Sequence, residues 1–140
     1  MSVSCFVDTN ILVYAHDRSA GDKHRIAVEL VSELWQDRTA AVSTQVLQEL
    51  YVNIRRKAGQ PLPRDEAASL IRDYLRWDVV VNNGDSLLQA IEIEGRYGIA
   101  FWDALVIQAA NAAGAEVLYS EDLNDGQLYG TVRVVNPFRP

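Results

Sequence analysis

Hydrophobic positions in this chain fall into short continuous runs that alternate with stretches of helical period. Cys5-Phe6-Val7 is a brief apolar run that stops at Asp8, followed by the small polar residues Thr9 and Asn10. It reads as a buried strand with Asp8 at its C-terminal end. Ile11 to Tyr14 continue apolar, and the polar stretch Asp17 to Gly21 breaks the pattern. With Asp22 as its cap, the next segment repeats Ile26, Ala27, Leu30, Val31, Leu34 and Trp35 at helical spacing, which predicts an amphipathic surface helix. Thr39 to Val42 predicts a second strand. Ser43 or Thr44 then caps a helix that buries Val46, Leu47, Leu50, Tyr51 and Ile54 and carries Glu49 beside that stripe. Its end, Arg55-Arg56-Lys57-Ala58-Gly59, sets cations against the helix dipole and Gly59 at the C′ position.

Pro61 and Pro63 enforce a turn, and Asp65 caps a third helix through Ala68, Ile71, Tyr74 and Leu75. Asp78 to Val81 predicts a third strand, closed by the turn signal Asn82-Asn83-Gly84. Asp85 caps a helix containing Leu87, Leu88, Ile91 and Ile93, which Gly95 and Gly98 end. The following helix, apolar at Phe101, Leu105, Val106, Ala109, Ala110 and Ala113 and stopped by Gly114, reads as almost wholly buried, with Asp103 as its one charge. Glu116 to Tyr119 predicts a fourth strand running into Ser120-Glu121-Asp122, and Val132 to Val135 a fifth. Such alternation predicts βαβ crossovers and an α/β fold, a mostly parallel sheet with helices on both faces. Ligands of open parallel sheets bind in the crevice outside the carboxyl ends of the strands, the edge to which Asp8 belongs.

Composition narrows this picture in three ways. A length of 140 residues, 49% apolar and 23% charged, suits one globular domain covering 1–140. The single cysteine, Cys5, cannot build a disulfide framework within one chain, and neither an export signal nor an apolar run near ~18 residues is visible. A reducing, cytoplasmic setting away from the membrane is expected. The net charge of −6 argues against a general basic surface for coating nucleic acid. A nuclease stays open, because a cluster of cation-binding carboxylates makes the totals acidic as well.

Four acids stand at strand ends or where the local pattern favours something else: Asp8, Glu49, Asp103 and Asp122. A buried Asp needs a partner, and the helix around Asp103 holds no Lys or Arg. Carboxylates crowded together raise one another's pKa, whereas Mg²⁺ or Mn²⁺ lets them stay ionised. One or two such ions suit phosphodiester hydrolysis, with Asn10, Ser43 and Ser120 orienting waters or phosphate oxygens. Arg55-Arg56-Lys57 can grip an RNA backbone but also serves its own helix dipole. His16 and His24 could serve acid–base chemistry but read as solvated surface residues, and Trp35, Trp77 and Trp102 could stack bases but read as core or dimer packing.

The quoted residues resemble a known family. Val7-Asp8-Thr9-Asn10-Ile11-Leu12, Ser43 to Glu49, Trp102-Asp103-Ala104-Leu105 and Leu118 to Leu123 look like the four ordered motifs of the PIN domain, and more narrowly of the VapC-type toxin ribonucleases. The resemblance implies a three-layer α/β/α fold and a Mg²⁺- or Mn²⁺-dependent endoribonuclease with Asp8, Glu49, Asp103 and Asp122 at the acidic positions. It also implies a homodimer, an RNA substrate and a small antitoxin that covers the site. Glu121, Asp122 and Asp125 all lie near the fourth strand end, and the family pattern of a small hydroxyl residue, any residue, then Asp selects Asp122. Two other readings compete. A phosphatase of the haloacid-dehalogenase kind looks for a second Asp where Asn10 stands, and a catalytically silent PIN-like module would use its acids to bind a basic partner segment.

Overall fold

The computed structural model describes residues 2–56 and 58–139, so Lys57 of the expected cationic cluster lies outside the described residues. In chain order the elements are β1 (Cys5–Val7), α1 (Thr9–His16), a short 3-10 turn (Arg18–Ala20), α2 (Asp22–Asp37), β2 (Ala40–Ser43), α3 (Thr44–Arg56), α4 (Arg64–Tyr74), β3 (Asp78–Val80), α5 (Gly84–Tyr97), α6 (Phe101–Ala112), β4 (Val117–Tyr119), β5 (Leu128–Tyr129) and β6 (Val132–Val135). The sheet order is β3-β2-β1-β4-β6-β5, parallel throughout except where β5 pairs antiparallel with β6. Helices flank this sheet, giving the expected α/β/α architecture. The chain winds outward from β1 through β2 to β3, then returns across to β4 on the other side of β1. The strand order therefore reverses between β1 and β4, and the crevice of such a sheet opens at that reversal.

β1 is buried along its whole length, as an apolar run without polar alternation must be when both sheet faces are covered. Phe6, Ile11, Leu12, Leu50, Ile54, Ile107 and Leu118 are fully buried around it. Each contributes roughly 1.5–3 kcal/mol by leaving water. α6 buries every residue from Ala104 to Ala110, in keeping with its uniformly apolar sequence. Trp35, Tyr74 and Trp77 form an aromatic cluster with centroids 5.0 to 5.5 Å apart beside β2 and β3. Among the described residues no helix is long and apolar enough to cross a membrane.

Several boundaries differ from the sequence reading, each for a local reason. Asp22, Asp65 and Asp85 do not cap their helices; the N-caps are Gly21, Pro63 and Asn83, and the acids sit in the first turns, where they favour the dipole. Asn83 and Ser86 make a reciprocal capping box. Gly95 lies inside α5, which Gly98 ends at φ 64°. Gly59 is not a left-handed cap: its N–H donates to Asp17 Oδ2 at 3.3 Å, and a β-carbon there would collide with the Ser19 side chain. β5 was not expected, so the sheet has six strands instead of five.

The capping box gives a direct comparison of two neighbouring residues. Asn83→Ala is expected to lower stability by about 1 kcal/mol in urea denaturation, with Asp85→Ala costing less than half as much. The reverse order would contradict this assignment of the cap.

Candidate active site

The register of β1 against β4 pairs Val7 with Tyr119, which puts Asp8 next to Ser120. The Asp8 N–H donates to the Tyr119 carbonyl at 3.0 Å, so the backbone itself fixes where the carboxylate emerges. Asp8 is also the N-cap of α1: its Oδ1 accepts the Thr9 N–H at 2.7 Å, while Oδ2 accepts the Ser120 hydroxyl at 2.9 Å. Ser120 is fully buried and its Oγ accepts the Asp122 N–H at 3.3 Å.

The next two residues of α1 reach the other segments. Thr9 Oγ1 donates to Glu49 Oε1 at 3.0 Å, and Asn10 Nδ2 donates to Asp122 Oδ2 at 3.0 Å. Glu49 is carried on α3, whose start is fixed by Ser43: this fully buried hydroxyl accepts the Val46 N–H at 3.2 Å and does not line the crevice. Asp103 stands half-buried in the first turn of α6. The outcome is one cavity of about 100 Å³ lined by Asp8, Glu49, Asp103 and Asp122, with Thr9, Asn10, Gln45, Asn53, Trp102 and Val106 completing its walls.

Among the described residues no Lys or Arg lines this cavity. Burial, opposed only in part by the Thr9 and Ser120 hydrogen bonds and reinforced by the charges of Asp122 and Asp103, pushes the Asp8 carboxyl up to about 7. Asp103 is raised by partial burial and then by Asp122, and Asp122 by partial burial and then by its neighbour Glu121, with Lys23 opposing. Among the described residues no three His, Cys, Asp or Glu side chains converge tightly enough to form a preformed ion cage. The three candidates for the fourth acid separate cleanly. Glu121 pairs with Lys23 and accepts the Tyr14 hydroxyl at 2.6 Å, Asp125 accepts the Asn136 N–H at 2.8 Å, and only Asp122 lines the cavity.

Other residues singled out from the sequence fall elsewhere. His16 is half-buried, not solvated, and its Nε2 shares a hydrogen bond of 2.7 Å with the Tyr74 hydroxyl; burial holds its pKa below the usual histidine value. His24 Nδ1 bonds the Tyr14 carbonyl at 2.9 Å. Trp35 and Trp77 belong to the aromatic cluster, as expected for core packing, but Trp102 is 63% exposed. Arg55 lies over the Tyr51 ring, and neither it nor Arg56 lines the acidic cavity.

The family model of the PIN domain matches residues 5–125. The chain belongs to the PIN domain family. No curated protein shows a significant sequence match. Among solved structures, Mycobacterium tuberculosis VapC20, described as a sarcin-ricin loop cleaving toxin, is 24% identical over 85% of this chain and 90% of its own, with a TM-score of 0.65. A toxin–antitoxin complex from Klebsiella pneumoniae is similar at 18% identity over 98% and 100% of the two chains, TM-score 0.72. VapBC2 from Rickettsia felis, bound to a promoter DNA fragment, is 19% identical over 94% and 97%, TM-score 0.63.

This PIN domain thus brings together the four acids read from the sequence, along with Asn10 and Ser120. Thr9 and Gln45 were missed as site residues, and Trp102 was read as core or dimer packing in preference to base stacking. For Gln45 a signal existed, since it precedes Glu49 by four residues and shares its helix face. Its Nε2 reaches the Trp102 carbonyl at 3.3 Å and Glu49 Oε1 at 3.4 Å.

Asp8 supplies a pH test. Its folded-state pKa lies above the unfolded value near 4, so between about pH 4 and 7 the folded chain retains a proton that the unfolded chain has lost. Stability contributed by the protonated form falls as pH rises through that window. In metal-free urea denaturation, Asp8→Asn should therefore gain on the wild type by more than about 1 kcal/mol between pH 4.5 and 7. A pH-independent difference would contradict the raised pKa.

Proposed function

We propose that this PIN domain is a metal-dependent endoribonuclease acting as the toxin of a toxin–antitoxin pair, with Asp8, Glu49, Asp103 and Asp122 as its acidic active-site residues. The observation that carries the proposal is that four carboxylates, from four separated segments, line one cavity that no Lys or Arg lines among the described residues. The structural likeness to the VapC20 toxin and to toxin–antitoxin complexes supports the biological role.

The donor set fits a hard divalent cation: it is all oxygen, and its most buried member holds a charge that burial alone disfavours. Mg²⁺ takes only one or two carboxylates directly and keeps several waters, so a set that is not a closed cage is compatible with it. When bound, one or two Mg²⁺ or Mn²⁺ ions would supply an activated water and neutralise charge at the scissile phosphate. Asp8, Asp103, Asp122 and Glu49 would hold the ion or ions, directly or through bound water. Ser120 and Thr9 fix the two oxygens of Asp8, Thr9 orients Glu49, and Asn10 orients Asp122. Ser43 acts at one remove, fixing the start of the helix that carries Glu49. Attack of water on phosphorus, with departure of the 3′ oxygen, leaves a 5′-phosphate and a 3′-hydroxyl.

The proposed setting is the cytoplasm, with residues 1–140 working as a single domain within a homodimer. An apolar groove of about 570 Å³ between α3 and α4, walled by Leu47, Tyr51, Val52, Ala68, Ile71 and Leu75, supports a seat for a segment of a small antitoxin. The silent-module reading has in its favour that the carboxylates do not converge tightly. The phosphatase reading loses ground because Asn10 is tied to Asp122.

Cleavage of total RNA with and without EDTA separates these readings. The wild type should cut only with Mg²⁺ or Mn²⁺, Asp8→Asn and Asp103→Asn should each lose at least about 100-fold, and Asn10→Ala about 10- to 100-fold. Cleavage unchanged by the acid substitutions, or a 2′,3′-cyclic phosphate product, would refute the mechanism.

A further inference from the structure

We infer that Trp102 is a base-stacking platform: its indole takes the face of a base beside the scissile phosphate. This rests on the ribonuclease reading above and names a residue through which the site holds its RNA.

Trp102 differs from the other two tryptophans. Trp77 is buried and Trp35 half-buried in mutual contact, whereas Trp102 is 63% exposed while it lines the acidic cavity next to Asp103. Its foundation is fixed on two sides. The main-chain carbonyl accepts Gln45 Nε2 at 3.3 Å, and the ring meets Phe101 edge to face, with centroids 5.2 Å apart and planes 75° to one another. Gln45 itself is buried on the facing helix α3, so the first turn of α6 is tied to the element that carries Glu49. An exposed indole thus stands on an anchored backbone, on a residue that lines the site.

Charge explains why such a surface is needed. The chain carries −6 overall, and among the described residues no Lys or Arg lines the cavity that must receive a polyanion. Beyond the ion proposed above, the described residues of the cavity wall offer phosphate no cationic side chain, the usual source of affinity for nucleic acid. Stacking supplies attraction without positive charge. It is tolerant of sequence because every base has a π-face, and it is open to unpaired bases because those in a duplex are already stacked on their neighbours.

The test uses a fluorescein-labelled single-stranded RNA of about 12 nucleotides spanning a cut mapped in total RNA, and the same strand annealed to its complement. With the single strand, Trp102→Ala should raise KM about 10- to 100-fold and leave kcat within about threefold, and Trp102→Phe should recover most of the loss. The duplex should be cut at least about tenfold less efficiently by the wild type. In a series of RNAs with one abasic site each, one position near the cut should weaken the wild type but not further weaken Trp102→Ala, as expected of two halves of one contact. A 2-aminopurine at that position should be quenched by the wild type and not by Trp102→Ala.

Unchanged KM in Trp102→Ala, or additive effects at every abasic position, would overturn the stacking role while leaving the ribonuclease intact. Conversion of a dimer to a monomer by Trp102→Ala in light scattering would assign the indole to a subunit contact and overturn it as well. A wild type that neither binds nor cleaves RNA would overturn the ribonuclease reading and this inference with it.

Discussion

The carboxylate of Asp8 has given up its water at the end of a buried strand, and two protein donors, the Thr9 N–H and the Ser120 hydroxyl, replace only part of that hydration. Position at the N-terminus of α1 favours its charge, yet desolvation wins and the proton is held to about pH 7. Asp103 and Asp122 add repulsion, and among the described residues no cationic side chain lines the cavity. A fold that concentrates negative charge this way is strained in electrostatic terms until a positive partner arrives.

Topology makes the concentration unavoidable. β1 lies between β2 and β4, and the strand order reverses beside it, so residues leaving β1 and β4 meet at one edge. Asp8, Thr9 and Asn10 then divide the work over three consecutive positions: the first is the buried acid, the second holds Glu49, and the third holds Asp122. α6 contributes Asp103 from its first turn, while its buried face locks it against the sheet. The same turn offers the exposed Trp102, so the charged and the aromatic parts of the site share one rigid support.

The parallel sheet was legible because its strands are short apolar runs without alternation, which only burial on both faces explains. The acids were legible because each broke a local expectation: Asp8 stopped a strand, and Asp103 interrupted an apolar helix. Less visible were features decided by three-dimensional proximity. Asn83 won the capping position from Asp85 because Ser86 answers it reciprocally, and Gly59 is required by the approach of Ser19, forty residues earlier in the chain. β5 is only two residues long and exists through its pairing with β6. Trp102 carries no periodic signal that distinguishes a packed indole from an open one; only the placement of α6 beside the cavity does.

The four acids, on this proposal, form one cation site. Diffraction from crystals soaked in Mn²⁺, collected at the manganese absorption edge, addresses it most directly. An anomalous peak inside the cavity, within coordination distance of Asp8 or of a water bound to it, is the expected result. A peak elsewhere on the surface, or none at a concentration that supports RNA cleavage, would contradict the account.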